Sequence, residues 1–185
     1  MEKTLLTIQE YAERAHGDQK RKYSGDPYIV HPIRVMKLTQ KYTKELPALA
    51  AALLHDVLED TAVTEKDLEG FLSEIMSKDD ALKTLQLVVD LTDVYVKDSF
   101  PKLNRNVRKN KEAERLSKID PLAQTVKYAD LIDNSVDIAK NDLDFATVFL
   151  QECKGLLQKM DKGNPELYKK AVQVVNECLN EIKNH

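Results

Sequence analysis

The sequence predicts an all-α protein, a helical bundle forming a single domain over residues 1–185. Three observations carry that prediction. Only five glycines and no tryptophan occur in 185 residues. Long stretches are built from Leu, Ala, Lys and Glu, which lose little side-chain freedom in a helix. Strand signals are nearly absent: VVDLTDVYV at 88–96 is the one β-branched run, and it reads equally well as the end of a helix.

The elements follow in order. Leu5, Ile8, Ala12 and Ala15 recur at helical spacing in the first segment. His16-Gly17 breaks it, and the polar stretch DQKRKYSGDP follows, with Ser24-Gly25-Asp26-Pro27 as a turn. A second helix starts near His31-Pro32, where proline suits the first turn, and runs on Ile33, Val35, Met36 and Leu38 as far as Tyr42. Pro47 opens a third helix in the same way, expected to continue to Thr61. Thr64-Glu65-Lys66-Asp67 resembles a capping box, and the helix after it packs through Leu68, Phe71, Leu72 and Ile75. Another begins near Asp80 and carries Leu82, Leu85, Val88 and Val89. Residues 93–102 read as a surface loop. Residues 103–117 form a charged helix whose Arg105, Arg108, Lys109 and Glu112 share one face, read as solvated. Asp120-Pro121 starts the next helix. The last two, about 143–160 and 165–183, are divided by DKGNP, with Gly163 as a helix stop and Pro165 in a first turn. The segment 161–185 is thus assigned to a C-terminal helix.

Composition excludes several classes. Apolar residues at 42% and charged residues at 32% describe a globular chain long enough for one buried core and short for two. A net charge of −3 and a pI near 5.9 argue against nucleic acid or an anionic membrane surface as the main partner. Cys153 and Cys178 are far apart, with no metal-type spacing, and fit two buried helix thiols. The N-terminal stretch lacks a signal-peptide pattern and no apolar run approaches a membrane span, so a cytoplasmic location is expected.

The chemistry concentrates in ALAAALLHDVLEDT, residues 48–61. After an apolar run to Leu54 come His55, Asp56, Glu59 and Asp60, which on a continuous helix fan over roughly 140° of its circumference. Three carboxylates and an imidazole on a core helix need something positive to compensate, and a divalent metal is the economical choice. The plainer alternative is a helix that reaches solvent there. Further ligands must come from other elements. His31 begins a helix directly after a turn, and Asp130 sits mid-helix between Ala129 and Leu131 with Asn134 one turn on. Two imidazoles and two carboxylates suit manganese, iron or zinc.

The spacing His31, then His55-Asp56, then Asp130 reproduces the H…HD…D signature of HD-domain metal-dependent phosphohydrolases. The stretches HGDQKRKYSGDPYIVHP at 16–32, AALLHDVLEDT at 51–61 and KYADLIDN at 127–134 resemble the hydrolase domain of RelA/SpoT-type stringent-response enzymes. The likeness spans roughly residues 1–160 and implies an HD-domain helical bundle. With no room for a synthetase domain, the expected protein is a stand-alone small alarmone hydrolase.

The resemblance implies roles residue by residue. His31, His55, Asp56 and Asp130 would hold one divalent metal, usually Mn2+ in this family, with Fe2+ and Zn2+ left open. Glu59 and Asp60 would position and activate water. Arg21 and Lys22 match the basic pair lining the nucleotide pocket, with Ser24 nearby and Asn134 at its wall. The implied reaction removes the 3′-diphosphate of (p)ppGpp, or of a related alarmone such as ppApp, as pyrophosphate. Tyr23, Leu131 and Asp133 depart from the family pattern, and all three bear on which base is recognised. Another HD-family nucleotide phosphohydrolase of the 5′-nucleotidase type shares the ligands but has no need of the 21–32 stretch. A non-catalytic alarmone-binding regulator is the third reading, against which the full set of six metal and acid-base residues counts. A small nucleotide is the expected partner, and a monomer and an oligomer fit equally.

Overall fold

The computed structural model describes residues 1–183; the last two positions of the expected 161–185 segment lie outside the described residues. Ten helices and no strand occur among them, apart from an isolated bridge between Lys20 and Pro27. They group into two compact units, Met1–Thr92 and the chain from Asp93 onward.

The first unit contains α1 (Glu2–His16), α2 (Val30–Thr39), α3 (Leu46–Leu54), α4 (Val57–Asp60), α5 (Glu65–Ile75) and α6 (Lys78–Leu91). Every residue from Pro47 to Leu54 is buried. A helix that is apolar all round needs neighbours on all sides, and α1, α2 and α6 supply them. On α1 the buried stripe is Leu5, Ile8, Ala12 and then His16 in place of Ala15. The Thr64–Asp67 capping box is present, Thr64 Oγ1 accepting from Asp67 N at 3.2 Å and the Asp67 carboxylate accepting from Thr64 N at 3.0 Å. Leu68 and Leu72 are buried on α5, and Phe71 stacks on Tyr11 with centroids 3.9 Å apart. On α6 the expected packing residue Leu82 is instead 49% exposed. The inward stripe is Ala81, Thr84, Leu87, Val88 and Leu91, on a helix that packs against both α3 and α5.

The second unit contains α7 (Arg105–Leu116), α8 (Pro121–Asn141), α9 (Leu143–Leu157) and α10 (Pro165–Lys183); the last three pack on one another, and α7 packs on α9. The charged face of α7 is not merely solvated. Glu112 is 3% exposed and accepts from the backbone N–H groups of Val94 and Tyr95 at 3.2 and 3.0 Å and from Arg115 Nε at 2.8 Å. Lys109 pairs with Asp93 at 3.2 Å, and Arg105 makes a two-pronged pair with Glu152. These side chains hold the 93–104 loop and α9, which periodicity could not reveal. Cys153 and Cys178 are free and buried, and burial pushes the Cys153 thiol up to about 12, which makes it inert.

The loop before α10 is held by polar groups of α8. Lys162 N donates to Gln124 Oε1 at 2.8 Å, Asn164 N to Thr125 Oγ1 at 2.9 Å, and Tyr128 OH to Met160 O at 2.9 Å. Gly163 is required here for space, not for a left-handed turn: a Cβ would lie 2.6 Å from Tyr128 Cε2 and 2.8 Å from Thr125 N. Gly163→Ala should therefore cost about 1–3 kcal/mol, as overpacking does. Gly70→Ala, in a helix with open space at Cβ, should instead add up to about 1 kcal/mol. Urea midpoints of the two variants check both signs.

Candidate metal centre

The site of the first unit begins where α1 stops. Gly17, at φ 53°, ends the helix, and Gln19 N donates back to His16 O at 3.0 Å. The next residues fold on themselves: Arg21 N bonds Asp26 O at 2.9 Å, and Gly25, at φ 71°, bonds Arg21 O at 3.2 Å. The closed loop returns the chain to Tyr28 and places His31 in the first turn of α2, 1% exposed.

The helix expected to run through Thr61 breaks. Asp56 adopts φ −98°, ψ −6°, outside regular helix, and α4 starts afresh at Val57. The break coincides with a side chain taking over a backbone bond: His55 Nδ1 lies 2.9 Å from Ala52 O. As a result the four ionisable groups do not share a buried helix face. His55 is 2% exposed, whereas Glu59 and Asp60 are exposed on α4. For those two acids the plainer alternative, a polar end reaching solvent, describes their surroundings correctly.

His31, His55 and Asp56 come together, each offering a ligand atom within 4.8 Å of the others. Asp56 Oδ2 lies 3.1 Å from His55 Nε2 and 3.7 Å from His31 Nε2, and the two imidazoles meet edge to face at 5.1 Å. The donor set fits a cation. A carbonyl oxygen only accepts, so His55 Nδ1 carries a hydrogen, and the ring in its neutral form presents its lone pair at Nε2. That lone pair faces a carboxylate oxygen at 3.1 Å. Two electron-rich atoms so close in a largely buried site need a positive charge between them, and two imidazoles plus a carboxylate suit a divalent first-row metal.

Asp130 lies on α8 in the second unit and is 5% exposed. The partner that its burial demanded is double: Lys127 Nζ at 2.9 Å and Asn134 Nδ2, which donates to Oδ1 at 2.6 Å. Arg21 lies with its guanidinium carbon 5.8 Å from the Tyr28 ring centroid, while exposed Lys22 donates to Tyr23 OH at 3.1 Å. Ser24 Oγ accepts from Asp26 N at 3.3 Å and so braces the turn.

Three residues at the site were not singled out from the sequence. Tyr28 OH donates to Asp56 Oδ2 at 2.7 Å. Gln19 Nε2 donates to Asp60 Oδ2 at 3.2 Å, and His16 Nδ1 lies 2.8 Å from Gln19 Oε1. For His16 a signal existed: it falls four residues after Ala12 on the buried stripe of α1. Tyr28 and Gln19 carried none beyond their place in the 16–32 stretch.

Residues 28–135 match the HD domain family, and the chain belongs to it. Among named relatives, the human guanosine-3′,5′-bis(diphosphate) 3′-pyrophosphohydrolase MESH1 is 34% identical over 137 residues, covering 72% of this chain and 69% of the human protein. A guanosine-3′,5′-bis(diphosphate) 3′-pyrophosphohydrolase of Borreliella burgdorferi is 33% identical over 144 residues. The chain spans only 16 to 19% of the length of that protein and of the matched Mycoplasma pneumoniae and Aquifex aeolicus relatives. A solved structure described as a metazoan ortholog of SpoT that hydrolyzes ppGpp superposes with a TM-score of 0.78 at 25% identity, covering 94% of both chains.

The Tyr28 hydroxyl fixes the Asp56 oxygen that faces both imidazoles. Removing it in Tyr28→Phe should weaken binding of an added divalent cation about 10-fold or more, with the helical circular dichroism unchanged. Titration calorimetry on the metal-stripped protein measures it.

Proposed function

We propose that this chain is a divalent-metal-dependent guanosine 3′,5′-bis(diphosphate) 3′-pyrophosphohydrolase, with residues 1–185 acting as one HD-type domain. The observation that carries the reading is the trio of buried His31 and His55 with half-buried Asp56, the His55 tautomer being set by Ala52 O. The relatives named for this activity support it, as does the basic loop around Arg21 and Lys22. In this reading Asp130 is the fourth ligand and the ion is Mn2+, with Fe2+ and Zn2+ as competitors. Free buried thiols suit the reducing cytoplasm proposed as its location, and no described helix is long and apolar enough to cross a membrane.

A divalent ion held there supplies Lewis-acid polarisation of the phosphoryl group and eases deprotonation of water near neutral pH. The chain's own residues do the rest. Glu59 and Asp60, exposed on α4, orient the attacking water and take its proton. Water oxygen bonds to the phosphorus attached at the 3′ position and the bond from that phosphorus to O3′ breaks. O3′ keeps the electron pair and gains a proton, so the products are pyrophosphate and a nucleoside 5′-diphosphate with a free 3′-hydroxyl. Arg21 and Lys22 offset charge on the phosphoryl oxygens. Asn134 and Lys127 orient Asp130, and Tyr28 orients Asp56.

Pyrophosphate release from ppGpp by metal-stripped protein, with and without Mn2+, tests the reading, with ppApp and ordinary nucleotides run in parallel. Manganese-dependent release from a 3′-diphosphate is expected. Phosphate freed from an ordinary nucleotide instead would move the chain to the 5′-nucleotidase type, and tight ppGpp binding without turnover to a regulator. Asp56→Ala and Asp130→Ala should abolish turnover by losing the metal. Glu59→Ala should keep it and lose about 100-fold in kcat, whereas Lys22→Ala should raise KM about 10-fold with kcat little changed. Normal turnover by metal-loaded Glu59→Ala would remove the role given to that acid.

A further inference from the structure

Gln19 joins two groups that lie on different helices of the first unit. Its amide nitrogen donates to Asp60 Oδ2 at 3.2 Å, and its carbonyl oxygen lies 2.8 Å from His16 Nδ1. Its backbone is fixed from both sides, Gln19 N donating to His16 O and Gln19 O accepting from Tyr28 N, each at 3.0 Å. A carboxamide has two faces of nearly equal shape and opposite polarity. Only one orientation suits an ionised carboxylate: the NH2 group toward Asp60, leaving the carbonyl for His16. That carbonyl can only accept, so His16 Nδ1 must carry the ring hydrogen.

The consequence for His16 is unfavourable in isolation. The ring is 6% exposed, and its Nε2 is buried with no hydrogen-bond partner among the described residues. Had the ring served only to fill the end of the α1 stripe, an aliphatic side chain would do so without stranding a polar atom. The same imidazole packs on the Tyr28 ring at 4.5 Å, and the hydroxyl of that ring reaches Asp56. Its one donor is spent on Gln19.

We infer that His16 and Gln19 are positioning residues for Asp60: His16 Nδ1–H holds the Gln19 carboxamide so that its N–H, never its carbonyl, meets the Asp60 carboxylate. The inference rests on the hydrolase reading for the role of Asp60 in catalysis, but not for the arrangement itself. Without His16 the carboxamide can turn over, placing a carbonyl against the carboxylate and pushing it from its place beside the attacking water. The Michaelis complex forms normally and the rate falls.

Two measurements test this. Long-range 1H–15N spectra of the metal-free full chain at about pH 8, where imidazoles are neutral, report the His16 tautomer, assigned by the resonance lost in His16→Asn. Steady-state kinetics of the Mn2+-loaded chain on ppGpp then compare Gln19→Leu, His16→Gln and His16→Asn, with metal content and thermal midpoint measured for each. The wild-type ring should be in the Nδ1–H form. Gln19→Leu and His16→Gln should lose about 10- to 100-fold in kcat with KM and metal content unchanged. His16→Asn, which retains a donor at the Nδ1 position, should recover most of that loss. A wild-type His16 protonated at Nε2, or equal kcat values for His16→Asn and His16→Gln, overturns the proposal. A wild type that releases no pyrophosphate counts against the hydrolase reading alone, because the tautomer decides the arrangement without turnover.

Discussion

The hydrogen bond from His55 Nδ1 to Ala52 O ties the core of the first unit to its chemistry. α3 is buried on every side, so the backbone groups at its C-terminal end cannot all rely on water. Giving one of those carbonyls to an imidazole satisfies the backbone, ends the helix and sets the tautomer of His55 in one stroke. The lone pair of that ring then has a fixed direction, and Asp56, the next residue, is brought beside it by the break itself. The placing of His55 and Asp56 is therefore decided by the termination of a core helix, and that of His31 by the closed loop that leads into α2.

The same economy recurs in the second unit, where side chains of α8 stand in for missing backbone partners. Gln124, Thr125 and Tyr128 satisfy the backbone of residues 160–164, and Gly163 must lack a Cβ for the loop to come close enough. One turn further on, Lys127 and Asn134 hold Asp130. α8 thus carries a structural clasp and a buried acid on one rigid element, so that Asp130 is placed by a helix whose start is already fixed by the loop it grips.

Much of the fold was legible because its signals are local. The capping box at Thr64, the helix start at Asp120-Pro121, the other first-turn prolines, the loop expected at 93–102 and the helical periods all depend on neighbours in sequence. The errors share a different cause. Leu82 reads as core by hydrophobicity, yet the stripe that faces inward runs through Ala81, Thr84, Leu87, Val88 and Leu91, and hydrophobicity alone does not say which side of α6 its neighbours cover. Glu112 and Arg105 read as solvated because nothing local reveals the loop and helix they bind. The continuous helix through Thr61 fails because helix propensity is silent about a side chain competing for Ala52 O. At the site, His31, His55 and Asp56 were named through the H…HD…D signature that the sequence resembles, whereas Tyr28 and Gln19 were not: their parts are set by contacts across 28 and 41 residues, from Tyr28 to Asp56 and from Gln19 to Asp60.

The division between buried and exposed groups has a physical logic of its own. Two imidazoles that are almost wholly buried, at 1 and 2% exposed, cost far less to desolvate as neutral rings than a carboxylate would. Glu59 and Asp60 carry formal charge and would be costly in the same environment, so α4 leaves them in water. An exposed carboxylate is cheap but loosely held, and a group proposed to orient water must be held. Fixing Asp60 therefore falls to a neutral group reaching out from the interior. A glutamine does this without adding a charge to a site that, on the proposed hydrolase reading, also admits a polyanion. A lysine there would bind the carboxylate more strongly but would also be drawn to the phosphates of the proposed substrate. The choice of an uncharged side chain, with a buried histidine behind it to fix its orientation, follows from those two demands together.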